Sequence, residues 1–235
     1  MNFQKGEIIA VNKPYGMSSF GALARVRYLI SRRMGVKRVK TGHAGTRDSI
    51  STGVLILCTG RATKRIEELQ AHSKEYTATL QLGATTPSYD MEHPVDATFP
   101  TSHITRESIE NVLARFVGDI EQVPPSYSAC KINGNRAYEL KRKGKDVELT
   151  PKNIHIDSIE LTDFDEETMR MGIRVNCGKG TYIRALARDI GRALGSGVDL
   201  TTRCRTRVCE LTIDRCLDLD EVEEWLENQE IENIE

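Results

Sequence analysis

Three glycine-rich segments collect the residues that could do chemistry. The first, Thr41-Gly-His-Ala-Gly-Thr-Arg-Asp-Ser-Ile-Ser-Thr-Gly53, leads directly into the apolar run that starts at Val54. Glycines at 42, 45 and 53 allow unusual backbone angles and close approach to a ligand. Asp48 lies in its middle, a carboxylate open to a catalytic role or to the commoner loop role of closing an Asx-turn or capping a helix. The second, Cys177-Gly-Lys-Gly-Thr-Tyr-Ile-Arg184, opens an amphipathic stretch, so Lys179, Arg184 and a helix N-terminus together could hold a phosphate or a carboxylate. Alternatively, Arg184 is a surface residue of a helix's first turn. The third, Val123-Pro-Pro-Ser-Tyr-Ser-Ala-Cys-Lys-Ile-Asn-Gly134, continues through Arg136, Tyr138 and Lys141. Cations interleaved with tyrosines suit RNA, whose splayed bases stack on rings while its phosphates meet the cations. The Gly-x4-Gly-Lys-Ser/Thr pattern of a P-loop is absent.

The elements that must position these residues can be read from periodicity. Strands are expected at Glu7 to Val11 and Val54 to Cys58. In Glu75 to Leu82, residues Tyr76, Ala78, Leu80 and Leu82 alternate with polar ones, and Met169, Met171, Ile173, Val175 and Cys177 do the same. Helices are expected where Ile109, Val112, Leu113 and Phe116 form one stripe behind Thr105, and Ile183, Leu186, Ala187, Ile190 and Leu194 another, ended by Gly195. A last helix is expected from Asp218, burying Leu219, Val222 and Leu226. Alternating strands outnumber continuous apolar ones, which points to an α+β fold with a largely antiparallel or mixed sheet. Residues 131–152, basic and poor in core residues, read as an insertion or flap.

A chain of 235 residues with 39% hydrophobic and 29% charged residues can bury a sizeable core. It carries no spanning apolar run and no visible signal peptide, so a cytoplasmic protein with no membrane association is expected. The net charge of −1 hides a pattern. Residues 1–65 carry 13 basic and 2 acidic residues, whereas 208–235 carry 11 acids and one Arg. The windows 131–152 and 175–207 are also basic, at +4 and +5. Such segregation suggests a basic face for a polyanion with acidic segments placed elsewhere, or solvated helix faces that happen to cluster. The six cysteines form no CxxC pair and the histidines lack ligand spacing, so no metal site is expected, and buried free thiols fit best.

Taken together, the motifs resemble the TruB type of tRNA pseudouridine synthase along almost the whole chain. Asn12-Lys-Pro-Tyr-Gly-Met-Ser-Ser-Phe20 resembles the family's opening motif, and Gly42 to Leu55 resembles its catalytic loop. Gly60-Arg-Ala-Thr-Lys64, Lys74-Glu-Tyr76, Pro124 to Gly134 with Arg136 to Leu140, Lys179 to Arg184 with Leu186 to Asp189, and Arg205-Thr-Arg-Val208 follow in order. The resemblance implies the pseudouridine-synthase fold, a mixed, mainly antiparallel sheet with flanking helices and a thumb-like insertion at about 120–152. It implies one catalytic domain over 1–235 without the family's usual C-terminal RNA-binding (PUA-like) domain. The implied activity is isomerisation of a uridine in the T-loop of tRNA, with no cofactor, in a protein expected to be a monomer. Asp48 would be the catalytic carboxylate, Tyr76 would stack on the target base, and Arg184 would pair with Asp48. His43 would help hold the T-loop open, Lys64 and Tyr182 would line the site, and Lys131, Arg136 and Lys179 would contact RNA.

The sequence departs from the family pattern close to the chemistry. Arg47, Ser49 and Ser51 stand where Leu, Pro and Ala are usual, and Arg203-Cys204 where Leu-Arg is usual. Arg47 sets a cation beside Asp48, where it could bind a phosphate or compete with Arg184. Because Asp48 itself is kept, an active enzyme is the leading expectation. A weakened relative that binds or folds tRNA is the alternative, and a structural α+β protein with a phosphate-binding turn is a third reading.

Overall fold

A computed structural model describes residues 1–128, 130–132, 135–142 and 149–232. It divides into two compact units, residues 1–76 with 204–235, and residues 77–203. The chain passes between them within two strands.

The first unit begins with β1 (Ile8–Lys13), α1 (Ser19–Arg33), β2 (Thr41–Ala44), β3 (Thr52–Thr59), α2 (Ile66–Ala71) and the start of β4 (Lys74–Leu82). β3 is buried on both faces, which explains its continuous apolar sequence. Leu55 and Leu57 join Ile9, Val11, Val26 and Ile30 in one core. Val54, Ile56 and Cys58 join Ala44, Leu69 and Val208 in a second. β3 runs antiparallel to β1 from Gly53 to Cys58 and antiparallel to β2 from Ile56 to Thr59. Residues 45–51 are therefore the loop that joins two paired strands.

The second unit contains the rest of β4, β5 (Ala84–Thr85), β6 (Ala97–Thr98), α3 (Arg106–Ala114), β7 (Gly118–Gln122), β8 (Lys131–Ile132), β9 (Asn135–Arg136) and α4 (Ala137–Arg142). β10 (Lys152–Asp165), β11 (Arg170–Cys177), α5 (Ile183–Ala193) and the first part of β12 (Val198–Val208) complete it. Its strands run in the order β4-β11-β10-β7. β10 is antiparallel to both neighbours, and its pairing of Lys152 with Gln122 marks where the chain leaves for the insertion and returns. α3 starts on a capping box in which Thr105 and Ser108 satisfy each other's backbone N–H. The alternation in β4 and β11 holds: Ala78, Leu80, Leu82, Met171, Ile173, Val175 and Cys177 are all buried. Met169 does not belong to that strand; it sits in the preceding turn at φ 53°.

The chain then re-enters the first unit through the end of β12, followed by β13 (Leu211–Thr212), β14 (Leu217–Asp218) and α6 (Val222–Glu227). α6 starts four residues later than the sequence suggests, although Leu219, Val222 and Leu226 are buried as expected. β14 runs parallel to β1, and Cys204 and Arg205 of β12 run parallel to Thr52 and Gly53 of β3. With its antiparallel majority and these two parallel pairs the fold is α+β, as the alternation predicted. At Gly53 the close approach of β12 demands glycine: φ is +99° and a Cβ would lie 2.2 Å from the Arg205 carbonyl oxygen.

One sequence expectation changes. The acidic C-terminal segment is not held apart from the basic N-terminal window: Asp220 pairs with Arg25 and Glu223 with Arg32, both on α1. Cys58, Cys130 and Cys177 are buried, as expected for several of the six, while Cys204, Cys209 and Cys216 are partly exposed; none of the six is in a disulfide. No described helix is long and apolar enough to cross a membrane.

Candidate active site

In the first unit the loop bearing Asp48 is clamped by the Asn12–Phe20 segment. The Lys13 side chain is fully buried and donates to the carbonyls of Pro14 at 2.9 Å and Ser49 at 3.5 Å. The Gly16 N–H also donates to the Ser49 carbonyl, at 2.8 Å. Ser19, buried at the start of α1, receives the Arg47 N–H on its hydroxyl at 2.8 Å and donates to the Arg47 carbonyl at 3.1 Å. Ser51 donates to the Asp48 carbonyl at 3.0 Å. The residues on either side of Asp48 are thus fixed by hydrogen bonds, which limits the motion of a loop that lacks the usual proline.

Arg205 supports the loop from beneath. It is 2% exposed, its Nε donates to the Val54 carbonyl at 2.9 Å, and Nη1 lies 3.2 Å from where a Cβ on Gly45 would be. Gly45, at φ +92°, leaves the room that this guanidinium needs. His43, on β2 opposite Leu57, is half-buried; burial first, and the Arg205 charge second, push its imidazole below the usual histidine range. His43 is therefore neutral at pH 7. Tyr76 lies on β4, partly exposed, with the Arg47 guanidinium carbon 5.8 Å from its ring centre. Lys64 is exposed at the end of the 3-10 turn Gly60–Arg65.

In the second unit Arg184 occupies the first turn of α5, and it is not a surface residue. Its side chain is 7% exposed, Nη1 lies 3.1 Å from the Asp90 carboxylate and Nη2 donates to the Tyr127 carbonyl at 2.8 Å. Asp90 is held by a tight turn in which its N–H and C=O both bond the Thr86 hydroxyl, at 3.0 and 2.8 Å. Tyr182 precedes the helix, and its backbone is gripped by Gln122, which accepts from the Tyr182 N–H at 2.9 Å and donates to its carbonyl at 3.2 Å. Burial is the main cause that pushes the Tyr182 phenol above its ordinary range. Lys179 is exposed on the turn. The backbones of Lys131 and Arg136 pair across the β8–β9 hairpin, but their side chains lie outside the described residues.

Asp48, Tyr76, His43 and Lys64 therefore belong to one unit, and Arg184, Tyr182 and Lys179 to the other. The sequence reading missed four contributors. Lys13 and Ser19 lay inside a motif already quoted, and Arg205 inside another, so the signal existed without a role. Asp90, in Ser88-Tyr-Asp90, carried no signal. Among the described residues no group of three or more His, Cys, Asp or Glu could hold a metal ion.

Comparison with known proteins gives the family of the chain. A family model described as TruB family pseudouridylate synthase (N terminal domain) matches residues 32–183. The chain is 60% identical to tRNA pseudouridine synthase B of Bacteroides thetaiotaomicron, over 100% of this chain and 99% of that one. It is 43% identical to the protein of the same name from Francisella philomiragia, over 97% of this chain and 73% of that one. Among solved structures, a Cbf5–Nop10–Gar1 complex aligns at TM-score 0.68 and 25% identity, covering 95% of this chain and 55% of its counterpart. A chain with these motifs, this fold and these relatives belongs to the TruB family of pseudouridylate synthases.

Proposed function

We propose that the protein isomerises a uridine in the T-loop of tRNA to pseudouridine, with Asp48 as the catalytic carboxylate. The observation that carries this reading is Asp48 itself. The loop around it is rewritten at Arg47, Ser49 and Ser51, yet Asp48 is kept and both its neighbours in the chain are tied to the Asn12–Phe20 segment. Near-full-length identity to proteins named tRNA pseudouridine synthase B supports tRNA as the substrate.

The reaction asks for few groups. The target base must leave its loop, at a cost of a few kcal/mol, and stacking on the Tyr76 ring offsets about 1–3 kcal/mol of that. The uracil is then detached as the N1–C1′ bond breaks, turned and rejoined through C5, which gives up its proton while N1 takes one up, with no redox change and no water consumed. A single ionised carboxylate suffices, either attacking the sugar or removing the proton that starts elimination. A pairing of Arg184 with Asp48 would keep that carboxylate ionised in a dry site, while Asp90 and the Tyr127 carbonyl fix the guanidinium. His43, neutral, offers hydrogen bonds to the opened loop without adding charge. Lys64, Lys179, Lys131 and Arg136 supply cations for phosphates, and Tyr182 lines the site. The chain then acts as one catalytic domain in a cytoplasmic, monomeric enzyme.

Asp48→Asn tests this directly. Product formation from T-arm RNA should fall by at least about 10³-fold while the Kd stays within about twofold. Conversion by the variant at the parent rate would remove Asp48 from the mechanism. Absence of pseudouridine from the parent protein in large excess over RNA would favour a tRNA binder. Affinity should also fall as salt rises, since phosphate contacts release counterions.

A further inference from the structure

Arg47 is the most unusual residue of the site. It is a buried cation, 6% exposed, next in sequence to Asp48, where the family pattern has leucine. Both its backbone groups are held by Ser19, so its place at the loop is fixed. Its Nε donates to the Ser51 hydroxyl at 3.3 Å, and its guanidinium carbon lies 5.8 Å from the centre of the Tyr76 ring, inside the roughly 6 Å reach of a cation–π contact. Ser51 is itself a departure, standing where alanine is usual. An alanine could not accept this hydrogen bond. The two departures therefore meet in space: the serine supplies an acceptor for the new arginine.

We propose that Arg47 is a positioning residue for Tyr76. Anchored on Ser51, the guanidinium covers one face of the Tyr76 ring and so selects the opposite face for the flipped base. A planar cation suits this task because it stacks broadly on an aromatic face while keeping its edge donors for the hydroxyl. The arrangement replaces the shape-filling of a leucine by an oriented contact and restricts the ring against which the base must come to rest. This inference rests on the assignment of Tyr76 as the stacking residue.

The experiment is a double-mutant cycle in the full chain with T-arm RNA, reading the single-turnover rate at saturating protein, the Kd and the melting temperature. Arg47→Leu, which restores the family residue, should slow the single-turnover step about tenfold, with the Kd within about twofold and only a small fall in melting temperature. Arg47→Lys, which keeps the charge but not the plane, should recover part of the rate, and Ser51→Ala should lose part of it. In a Tyr76→Leu background, Arg47→Leu should cost nothing further. In Tyr76→Phe, which keeps the ring, it should cost as much as in the parent. Equal loss from Arg47→Leu in the presence and absence of the ring would overturn the proposal. So would weaker RNA binding with a smaller salt slope at an unchanged rate, the signature of a phosphate contact. If Tyr76→Leu left rate and affinity untouched, the assignment of Tyr76 itself would fail. A large Tyr76 effect with no Arg47 effect would remove only the present inference.

Discussion

The loop 45–51 and the first turn of α5, which follows the glycine-rich turn 178–182, each hold a buried arginine, but they hold it differently. Arg184 has a carboxylate, Asp90, at 3.1 Å and a backbone carbonyl from Tyr127. Arg47 is set between a neutral hydroxyl, Ser51, and an aromatic ring, Tyr76. The backbones differ too. Gly53, which ends the Asp48 loop, is pressed against the carbonyl of Arg205, whereas a Cβ on Gly180 would meet nothing within 4 Å. The Arg184 turn is thus tight in its side chains and open in its backbone. The Asp48 loop is tight in its backbone, and its arginine makes directional contacts with a hydroxyl and a ring.

The largest effect should come from breaking the ion pair. Asp90→Ala leaves the Arg184 guanidinium without that carboxylate in the protein interior and should destabilise by about 3–5 kcal/mol, read by denaturant unfolding; a loss under 1 kcal/mol would erase the contrast. Next, Gly53→Ala should cost more than Gly180→Ala. The first adds a collision with backbone to a left-handed φ, for roughly 2–4 kcal/mol. The second adds only the strain of its φ of +90°, about 1–2 kcal/mol. Equal costs would show that the approach of β12 to Gly53 is not tight in solution. Smaller again, Ser51→Ala removes a hydroxyl that accepts from Arg47 and donates to the Asp48 carbonyl, and should cost about 0.5–1.5 kcal/mol by the same measurement. The smallest effect concerns His43. Its pKa is lowered by folding, so the unfolded chain binds its proton first as pH falls. Its contribution to stability is therefore complete above the ordinary histidine value and declines as pH drops below about 6.5. His43→Gln should flatten that decline between pH 7 and 5; an unchanged slope would place the titration elsewhere.

Much of this was legible in the sequence because it is local. Period-two alternation marked β4 and β11, the apolar run marked β3, and Thr105 marked the start of α3, since burial and capping depend on neighbours a few residues apart. The motif order placed Asp48, Tyr76 and Arg184 as site residues and exposed Arg47 and Ser51 as departures. What stayed hidden was long-range. Met169 fits the alternation of β11 yet turns out of it, because a residue at φ 53° cannot continue a strand. The pairing of the C-terminal acids with α1 was invisible to a window count, because it joins residues some 190 positions apart.

The sequence by itself determined the family and the fold class and singled out Asp48 as the candidate carboxylate, all readings of residue type and order. Only the tertiary structure decided how those residues are held. It put Lys13 and Ser19 on the loop of Asp48, Asp90 on Arg184, and Arg205 beneath Gly45 and Gly53. It also set the buried Arg47 guanidinium against the ring of Tyr76. The physical reason is that hydrogen bonds and ion pairs act over about 3 Å in space and are indifferent to separation along the chain.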